Sequence, residues 1–484
     1  MATPREAWLP RATALADRHQ KVLACIFAVA LLAALHQSFR IGGLPYDSGE
    51  YWSLAEVPVF GDTPSIRGYL FPTLLSPLRY LGDLVADPLL VIRLALPLVY
   101  GLILPLALPA CFTHLFGGKV TFMRRLAPVV LLAALFPGVL LYPLSDLPAL
   151  LMALGALYLA SRGFDEQAKV RGALFRLALA GILMGAAYNT RTIYLFALMG
   201  LVVFAAFRAM NPASRLPRCL GVSAVIFGAL AISLPQAIVN QRMHGSPGLA
   251  VRAVVHKHSL YASQLVWGMA IQRYETTVSN ESPAPTVFYL DPAGEQLVRK
   301  AMASGDPYSL PFYLKFVAQH PVDFLALYVR HAINGLDVRD GIVYTTKPSP
   351  LRLRTALFNF CLLALACWVA WSIRSRGQVA SQTVTRPTGA SWAFPLAILL
   401  LPVAAILPGA VETRFFLPLH LLSYCLIAFR LDGAALRESL RRHGTMMVIA
   451  LVGAAAVFFA VSLSTMAQIQ YAWPRIYTDG PSPK

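Results

Sequence analysis

Long apolar segments recur through almost the whole chain and constrain its fold more than any other feature. Hydrophobic residues make up 57% of the 484 positions and charged residues only 13%, a balance that soluble domains do not show. A helix crosses a bilayer with roughly 17 to 25 apolar residues. The sequence predicts an all-α integral membrane protein with about eleven transmembrane helices, at residues 21–39, 88–116, 126–142, 146–161, 174–190, 192–208, 219–240, 353–373, 391–410, 415–430 and 445–466.

Basic residues lie between the apolar segments in an alternating pattern, and they account for a formal net charge of +18. Inner loops of membrane proteins are enriched in Lys and Arg. With a cytoplasmic N-terminus and an uncleaved first helix, every short loop on the inner side is basic, whereas the alternate turns carry at most one Arg each. No basic and aromatic face typical of nucleic-acid binding is present. The charge therefore indicates orientation in a membrane, with no nucleic acid as partner.

Two segments on the predicted outer side are too long to be turns. They divide the chain into an N-terminal membrane module (1–240) that contains the first loop (40–87), a large periplasmic loop (241–352) and a C-terminal membrane module (353–484) ending in a short periplasmic tail. In the first loop, "GYLFPTLLSPLRYLG" is interrupted by Pro72, Pro77 and Arg79, which favours a helix lying at the membrane surface over a spanning one. The large loop contains an amphipathic segment, "PFYLKFVAQHPVDFLALYVRHAINGLD".

Carboxylates gather in the first loop. "DSGEYWSLAEV" places Asp47, Glu50 and Tyr51 on one face of a helix. Asp47 at the mouth of a helical bundle is suited to act as a general base. The alternative is that Asp47 or Ser48 caps the helix while Glu50 is solvated.

Asp146 and Asp87 each stand at the predicted start of a helix, followed closely by Pro148 and Pro88. This arrangement is an ordinary helix N-terminal signature. For both carboxylates a structural role is the favoured interpretation.

Two arginines interrupt apolar sequence at the predicted outer boundary, Arg191 in "GAAYNTRTIYLF" and Arg414 in "LPGAVETRFFLPLHLL". Charges at membrane depth are retained with a partner or a ligand. Arg414 has Glu412 as a local ion-pair partner, and either arginine is able to snorkel to the interface. An arginine there is also suited to bidentate binding of a lipid-linked phosphate. Further cations on the same side, with solvent or lipid headgroups as their alternative contacts, are Arg67, Arg252, His256, Lys257 and His258.

The order of several motifs resembles that of the GT-C glycosyltransferases, in the polyprenyl-phosphate-sugar-dependent branch that includes the protein O-mannosyltransferases and the lipid A aminoarabinose transferase. The resemblance covers nearly the whole chain, although each motif alone is weakly specific. "ETRFFLPLHLL" is similar to the family's late E-x-R-[YF]-x-x-P motif. The other segments that carry the resemblance are "YDSGEYWSLAE", "RGYLFPTLLSPL", "VIRLALPLVYG", "FPGVLLYPLSDLPALLMALGALYL", "GAAYNTRTIYLF" and "LPQAIVNQRMHGSP".

The resemblance implies a GT-C fold and an inverting transfer in which Asp47, with Glu50 second, is the catalytic base. It also implies roles for other residues: Arg191, Arg414, Arg67, His256, Lys257 and His258 as donor-phosphate ligands, Asp146 and Glu412 as acidic support, and Tyr51 and Tyr69 as substrate contacts. The chain departs from the family in having DSGE where adjacent acids are expected, and no separate C-terminal soluble domain is predicted. These departures leave the sugar and the acceptor open.

The predicted function is therefore that of a bacterial inner-membrane glycosyltransferase with a periplasmic active site. Its partners are a polyprenyl-phosphate-linked sugar donor, a glycan, lipid or protein acceptor, and the bilayer. No cofactor is expected, and a divalent metal is possible but not required. The first alternative is an O-antigen ligase or polymerase that depends on His256, His258, Arg330 and His331. A lipid-linked sugar transporter or flippase is disfavoured, because neither a repeat nor a mid-helix acid is found.

Overall fold

A computed structural model describes residues 4–39, 41–57, 59, 66–164, 169–208, 218–255, 257–276, 286–339, 351–377, 390–466 and 469–470. The predicted phosphate ligand His256 lies outside the described residues. The α-helices in these ranges are α1 (Pro4–Phe39), α2 (Tyr46–Leu54), α3 (Leu70–Leu84), α4 (Pro88–Phe116), α5 (Phe122–Leu135), α6 (Gly138–Leu141), α7 (Asp146–Gly163), α8 (Val170–Thr190), α9 (Leu195–Arg208), α10 (Arg218–His244), α11 (Leu260–Ala270), α12 (Pro292–Ser304), α13 (Leu310–Gln319), α14 (Pro321–Leu336), α15 (Arg352–Gly377), α16 (Ala390–Ile406), α17 (Leu417–Arg430) and α18 (Gly433–Met466).

Several helices are long and apolar enough to cross a bilayer, and the chain is a multi-pass membrane protein. Within the described residues there are six such segments: His19–Phe39, Pro88–Phe116, Val170–Thr190, Cys219–His244, Arg352–Ile373 and Gly444–Ser464. The other five predicted spans fall on α5, α7, α9, α16 and α17, which have 14 to 18 residues. At 1.5 Å per residue, a 14-residue helix is about 21 Å long, less than the roughly 30 Å of hydrocarbon in a bilayer.

Small residues let the central helices approach closely. A Cβ added at Gly181 of α8 would collide with the backbone of Val225 in α10, and one at Gly228 of α10 would collide with the backbone of Ala178. Close backbone approach at small residues is the usual packing mode of membrane helices. It fixes the position at which α8 ends, beside the candidate site.

Side-chain hydrogen bonds hold segments together at both ends of the bundle. At one end, the Arg124 guanidinium donates to the carbonyls of Phe429 and Leu431 at 2.8 Å each. At the other end, Asp87 caps α4 by accepting from the Leu90 amide at 2.9 Å, as the sequence predicts. The orientation in a particular membrane stays a prediction.

The first loop contains the two predicted helices, α2 and α3. Pro77 lies inside α3, and Tyr51 of α2 packs edge-on against Phe71 with the ring centroids 4.8 Å apart. The α2 helix begins after Pro45, with no side-chain cap. The alternative that Asp47 or Ser48 caps this helix is therefore wrong.

The large loop contains strands that the all-α prediction missed. Strands β1 (Val254–Val255) and β2 (His258–Ser259) form a short hairpin. Strand β3 (Ile271–Thr276) pairs antiparallel with β4 (Thr286–Leu290), and β5 (Ile469–Gln470), after α18, pairs with the other edge of β4. The sequences "IQRYET" and "TVFYL" are rich in β-branched and aromatic residues, which favours strands.

Candidate functional site

Arg414 faces three carboxylates from three different parts of the chain. Its Nε lies 2.8 Å from Glu412 Oε2, its Nη2 lies 2.7 Å from Asp47 Oδ2, and its Nη1 lies 3.7 Å from Asp146 Oδ2. The residue occupies a short 3-10 helix, Thr413–Phe416, that precedes α17. This turn places a buried guanidinium at the centre of an acidic site.

Asp47 uses both carboxylate oxygens in ion pairs. Its Oδ1 accepts from Arg67 Nη2 at 2.5 Å, and Arg67 Nε in turn donates to Glu50 Oε2 at 3.1 Å. Because Asp47 and Glu50 are three residues apart on α2, both face Arg67. Burial raises the pKa of Asp47, but the charges of Arg414 and Arg67 outweigh burial and hold this pKa below its ordinary value.

Asp146 and Arg191 complete the group of charged residues. Asp146 is the first residue of α7, and its Oδ1 lies 2.8 Å from Nη1 of Arg191, which directly follows α8. The Arg191 guanidinium also lies over the ring of Phe415, 4.8 Å from the ring centroid. Asp146 is therefore an ion-pair partner as well as a helix-start residue. Arg191 therefore has an ion-pair partner that the sequence did not predict, and snorkelling stays untested.

We call these seven residues the charge cluster: Asp47, Glu50, Arg67, Asp146, Arg191, Glu412 and Arg414. Four carboxylates face three guanidiniums, so the net charge of the cluster is −1 when every member is ionised. Burial raises the pKa of Glu412 to about 7, against the opposing charge of Arg414 and with the charge of Asp47 adding to the rise. Glu412 is therefore a carboxylate that changes protonation near neutral pH.

The first loop is fixed to the bundle beside Arg67. The Tyr69 amide donates to Gln236 Oε1 at 3.2 Å, and the Tyr69 hydroxyl donates to the carbonyl of Ile232. Gly68 packs against the carbonyl of Asn189 with no room for a Cβ. These contacts explain how Arg67, a residue of the first loop, is held in a site formed by helix ends.

The two tyrosines predicted to contact substrate use their hydroxyls within the protein. The Tyr51 hydroxyl donates to Ser145 Oγ at 2.9 Å, and the Tyr69 hydroxyl is bound as described. Both side chains are buried. Their assignment as substrate contacts stays a prediction.

The predicted cations of the large loop have contacts within that loop. His258 stacks on Tyr308 with the ring centroids 4.3 Å apart, and Lys257 has a left-handed backbone with φ of 73° in the β1–β2 turn. In the part of the chain that the structure describes, no recorded ion pair joins Lys257 or His258 to the charge cluster. Their role as phosphate ligands stays a prediction.

Two residues named for the ligase alternative also have protein partners. Arg330 Nε donates to Asp291 Oδ2 at 3.0 Å, and His331 Nδ1 lies 2.7 Å from the Leu407 carbonyl oxygen. Burial lowers the pKa of His331 to about 4, so this ring is neutral at physiological pH. Both side chains hold the large loop in place.

Sequence reasoning missed Tyr274, which β3 brings from the large loop to the charge cluster. Its amide donates to the Val411 carbonyl at 2.9 Å, and its ring meets Phe415 edge-on at 6.1 Å. Burial raises the pKa of Tyr274 well above its ordinary value, and the Glu412 carboxylate raises it further. The only sequence signal was the alternation of a strand, which the prediction of an all-α loop did not consider.

Arg273 and Glu275, which flank Tyr274 on β3, belong to a second ionic group that was also missed. Arg273 Nη1 donates to the Asp337 carbonyl at 2.8 Å and pairs with Glu275, and Arg339 Nε donates to Asp337 Oδ2 at 2.6 Å. Arg352 Nη2 lies 3.4 Å from Glu275 Oε2. We call these five residues, Arg273, Glu275, Asp337, Arg339 and Arg352, the hairpin cluster, after the antiparallel pair of β3 and β4. It fastens β3 to the ends of α14 and α15 and so fixes Tyr274.

Two comparisons with known proteins identify no relative. No model of a known protein family matches this chain. A search of curated proteins also finds no match. The chemistry of the charge cluster is therefore the ground on which a function is inferred.

Proposed function

We propose that this chain is a GT-C type glycosyltransferase of a bacterial inner membrane, which transfers a sugar from a polyprenyl phosphate to a periplasmic glycan, lipid or protein acceptor. The observation that carries the proposal is the contact between Asp47 and Arg414 at 2.7 Å. It joins the two motifs to which the family resemblance assigns the base and a phosphate ligand. Arg67 and Arg191 lie in the same cluster.

In the proposed reaction, Asp47 removes the proton from the acceptor hydroxyl while the acceptor oxygen bonds to the anomeric carbon. The bond from that carbon to the phosphate oxygen breaks on the opposite side, and its electron pair leaves with the polyprenyl phosphate. A single displacement of this kind inverts the anomeric centre. The proton on Asp47 returns to solvent after product release.

Arg414, Arg191 and Arg67 are the proposed ligands of the phosphate. Negative charge grows on the leaving phosphate in the transition state, and guanidiniums that are already in place stabilise it. Since a phosphate monoester departs as an anion, a metal is not chemically obligatory. Turnover that a chelator abolishes and a divalent cation restores would contradict metal independence.

The proposed membrane arrangement places the short basic loops of the sequence in the cytoplasm and the charge cluster in the periplasm. The six candidate spans, together with the five shorter helices α5, α7, α9, α16 and α17, give the predicted total of about eleven. In this arrangement a polyprenyl phosphate reaches the charge cluster from the side, out of the bilayer. The large loop, with β3 and Tyr274, forms the remaining wall.

The test is donor consumption by the purified protein, assayed with a panel of polyprenyl-phosphate sugars. Asp47→Asn should fold and lose turnover by about 10²-fold or more, the usual contribution of a general base. Asp83→Asn is the matched control, because Asp83 is an exposed acid of the same loop whose recorded ion pair is with Arg79. Equal consumption by wild type and Asp47→Asn would remove Asp47 as the base and bring the ligase alternative forward.

A further inference from the structure

The arginines proposed to bind the donor phosphate are already paired with carboxylates. Arg414 holds Asp47, Glu412 and Asp146. The same is true of Arg67 and Arg191, whose recorded ion pairs are with acids of the charge cluster. A phosphate that binds these arginines therefore meets carboxylates that already contact them.

We propose that the donor phosphate binds by displacing the Asp47 carboxylate from Arg414, so that Asp47 is released to act as a base only in the donor-bound protein. This inference rests on the proposed glycosyltransferase function and adds an order of events to it. The phosphate comes first, and deprotonation of the acceptor follows. The displaced group and the catalytic group are one residue.

The burial of the three acids indicates which one Arg414 releases. The Glu412 and Asp146 side chains are only 6% and 3% exposed, whereas that of Asp47 is 22% exposed. Moving a carboxylate into water is easiest for the one already in contact with it. Asp47 is therefore the exchangeable partner.

The position of each acid along the chain leads to the same conclusion. Glu412 is two residues from Arg414 and binds its Nε, so it keeps the guanidinium in place while the outward nitrogen changes partner. Asp47 comes from α2, a nine-residue helix in a loop, and it retains Arg67 as a second partner at 2.5 Å. Loss of the Arg414 contact moves Asp47 without detaching it from the site.

Charge balance favours the exchange over simple addition. Three carboxylates already face the guanidinium of Arg414, and like charges at short distance in a partly buried site are costly. A phosphate that bound with all three contacts intact would be a fourth anion against Arg414. Exchange with Asp47, which keeps its contact with Arg67, leaves the number of anions at Arg414 at three.

The exchange also strengthens Asp47 as a base. Arg414 is the largest opposing charge that lowers the pKa of Asp47, so its transfer to the phosphate lets this pKa rise. The acceptor proton then goes to Asp47 Oδ2, the oxygen that Arg414 has vacated. When polyprenyl phosphate departs, Arg414 returns to Asp47 and favours release of the proton.

Affinity for undecaprenyl phosphate, measured by titration of the purified protein in nanodiscs, tests the exchange. Asp47→Asn removes the competitor, and we expect this variant to bind roughly threefold to tenfold more tightly than wild type, in line with the loss of one partly exposed ion pair. Arg414→Gln should bind more weakly than wild type. Asp83→Asn is the control and should bind as wild type does.

The outcomes separate this inference from the function on which it rests. Tighter binding by Asp47→Asn supports exchange, and it is not a result that damage to the fold produces. Asp47→Ala provides the same test if the Asn variant does not fold. Unchanged or weaker binding by both Asp47 variants overturns the exchange while leaving the proposed function standing. Absence of binding to wild type contradicts both.

Discussion

Asp47 accepts from Arg414 at 2.7 Å although 367 positions separate the two residues in the sequence. One belongs to a loop helix near the N-terminus and the other to a 3-10 turn before α17. Their contact brings two motifs, each weakly specific alone, together in one site. Because the two residues come from distant parts of the chain, any change that moves the first loop relative to the C-terminal module should lengthen this contact.

Stability should fall as pH rises from about 4.5 to about 7, because of Glu412. Its pKa is raised from 4.5 to about 7 in the folded protein, chiefly by burial. In this window the folded state keeps a proton that the unfolded chain has lost, so the free energy of unfolding decreases by up to about 1.4 kcal/mol per pH unit. Glu412→Gln should remove this contribution, as measured by thermal unfolding between pH 4.5 and 8.

Glu56→Gln is the control for this measurement, since the Glu56 side chain is 67% exposed. Protonation of Asp47 does not interfere with this measurement. Its pKa lies below the ordinary 3.8, so its contribution to stability is lost only as pH falls below the window. A pH profile of Glu412→Gln that parallels wild type would show that Glu412 is not protonated near neutrality.

Gly68→Ala should displace Arg67 from the charge cluster. A Cβ at this position collides with the carbonyl of Asn189, so the first loop must move away from the end of α8. We expect a loss of donor turnover of about 10-fold or more, as small displacements of binding groups commonly produce. Gly43→Ala, in the same loop but with no atom within 4 Å of its Cβ, should retain wild-type turnover. Equal activity in the two variants would contradict a fixed position for Arg67.

Asp337→Asn should destabilise the large loop. The side chain is fully buried and binds Arg339 at 2.6 Å, with Ser462 and Arg273 also in contact. Removal of one partner from a buried ion pair costs about 3 to 5 kcal/mol. Thermal unfolding and limited proteolysis should both detect this loss.

The matched control is Asp323→Asn. That side chain is 57% exposed and lies 3.6 Å from His320, and exposed pairs contribute about 1 kcal/mol or less. If both substitutions lower the unfolding temperature equally, the hairpin cluster does not anchor β3.

Labelling of single cysteines tests the predicted orientation. Cys219 is exposed at the start of α10, which is predicted to be cytoplasmic, whereas Asp83→Cys lies on the predicted periplasmic side. In intact spheroplasts an impermeant maleimide should label the residue at 83 and spare Cys219 until the cells are lysed. The reverse pattern would place the charge cluster in the cytoplasm.

Local sequence signals predicted the features that depend on neighbouring residues. The cap of α4 at Asp87 follows from Asp before Pro, and the apolar runs gave the six candidate spans directly. Hydropathy did not predict that α9 and α17 have only 14 residues each. The difference lies in the 3-10 turns after Arg191 and before α17, which shorten these helices.

Contacts between distant segments were beyond the reach of sequence patterns. Asp146 had the signature of a helix start, yet it is also the partner of Arg191, and nothing in the local sequence distinguishes the two roles. The strands β3 and β4 were missed because they pair with each other and because the other edge of β4 pairs with β5, a segment after α18. The hairpin cluster holds β3, and with it Tyr274, against Asp337 and Arg352.

The most direct test of the proposed site is the position of the phosphate in a cryo-EM structure of the protein with undecaprenyl phosphate bound. We predict phosphate oxygens about 2.7 to 2.9 Å from the guanidinium nitrogens of Arg414, with Asp47 no longer in contact with that residue. A phosphate bound instead beside Lys257 and His258, with the contact between Asp47 and Arg414 intact, would contradict the account.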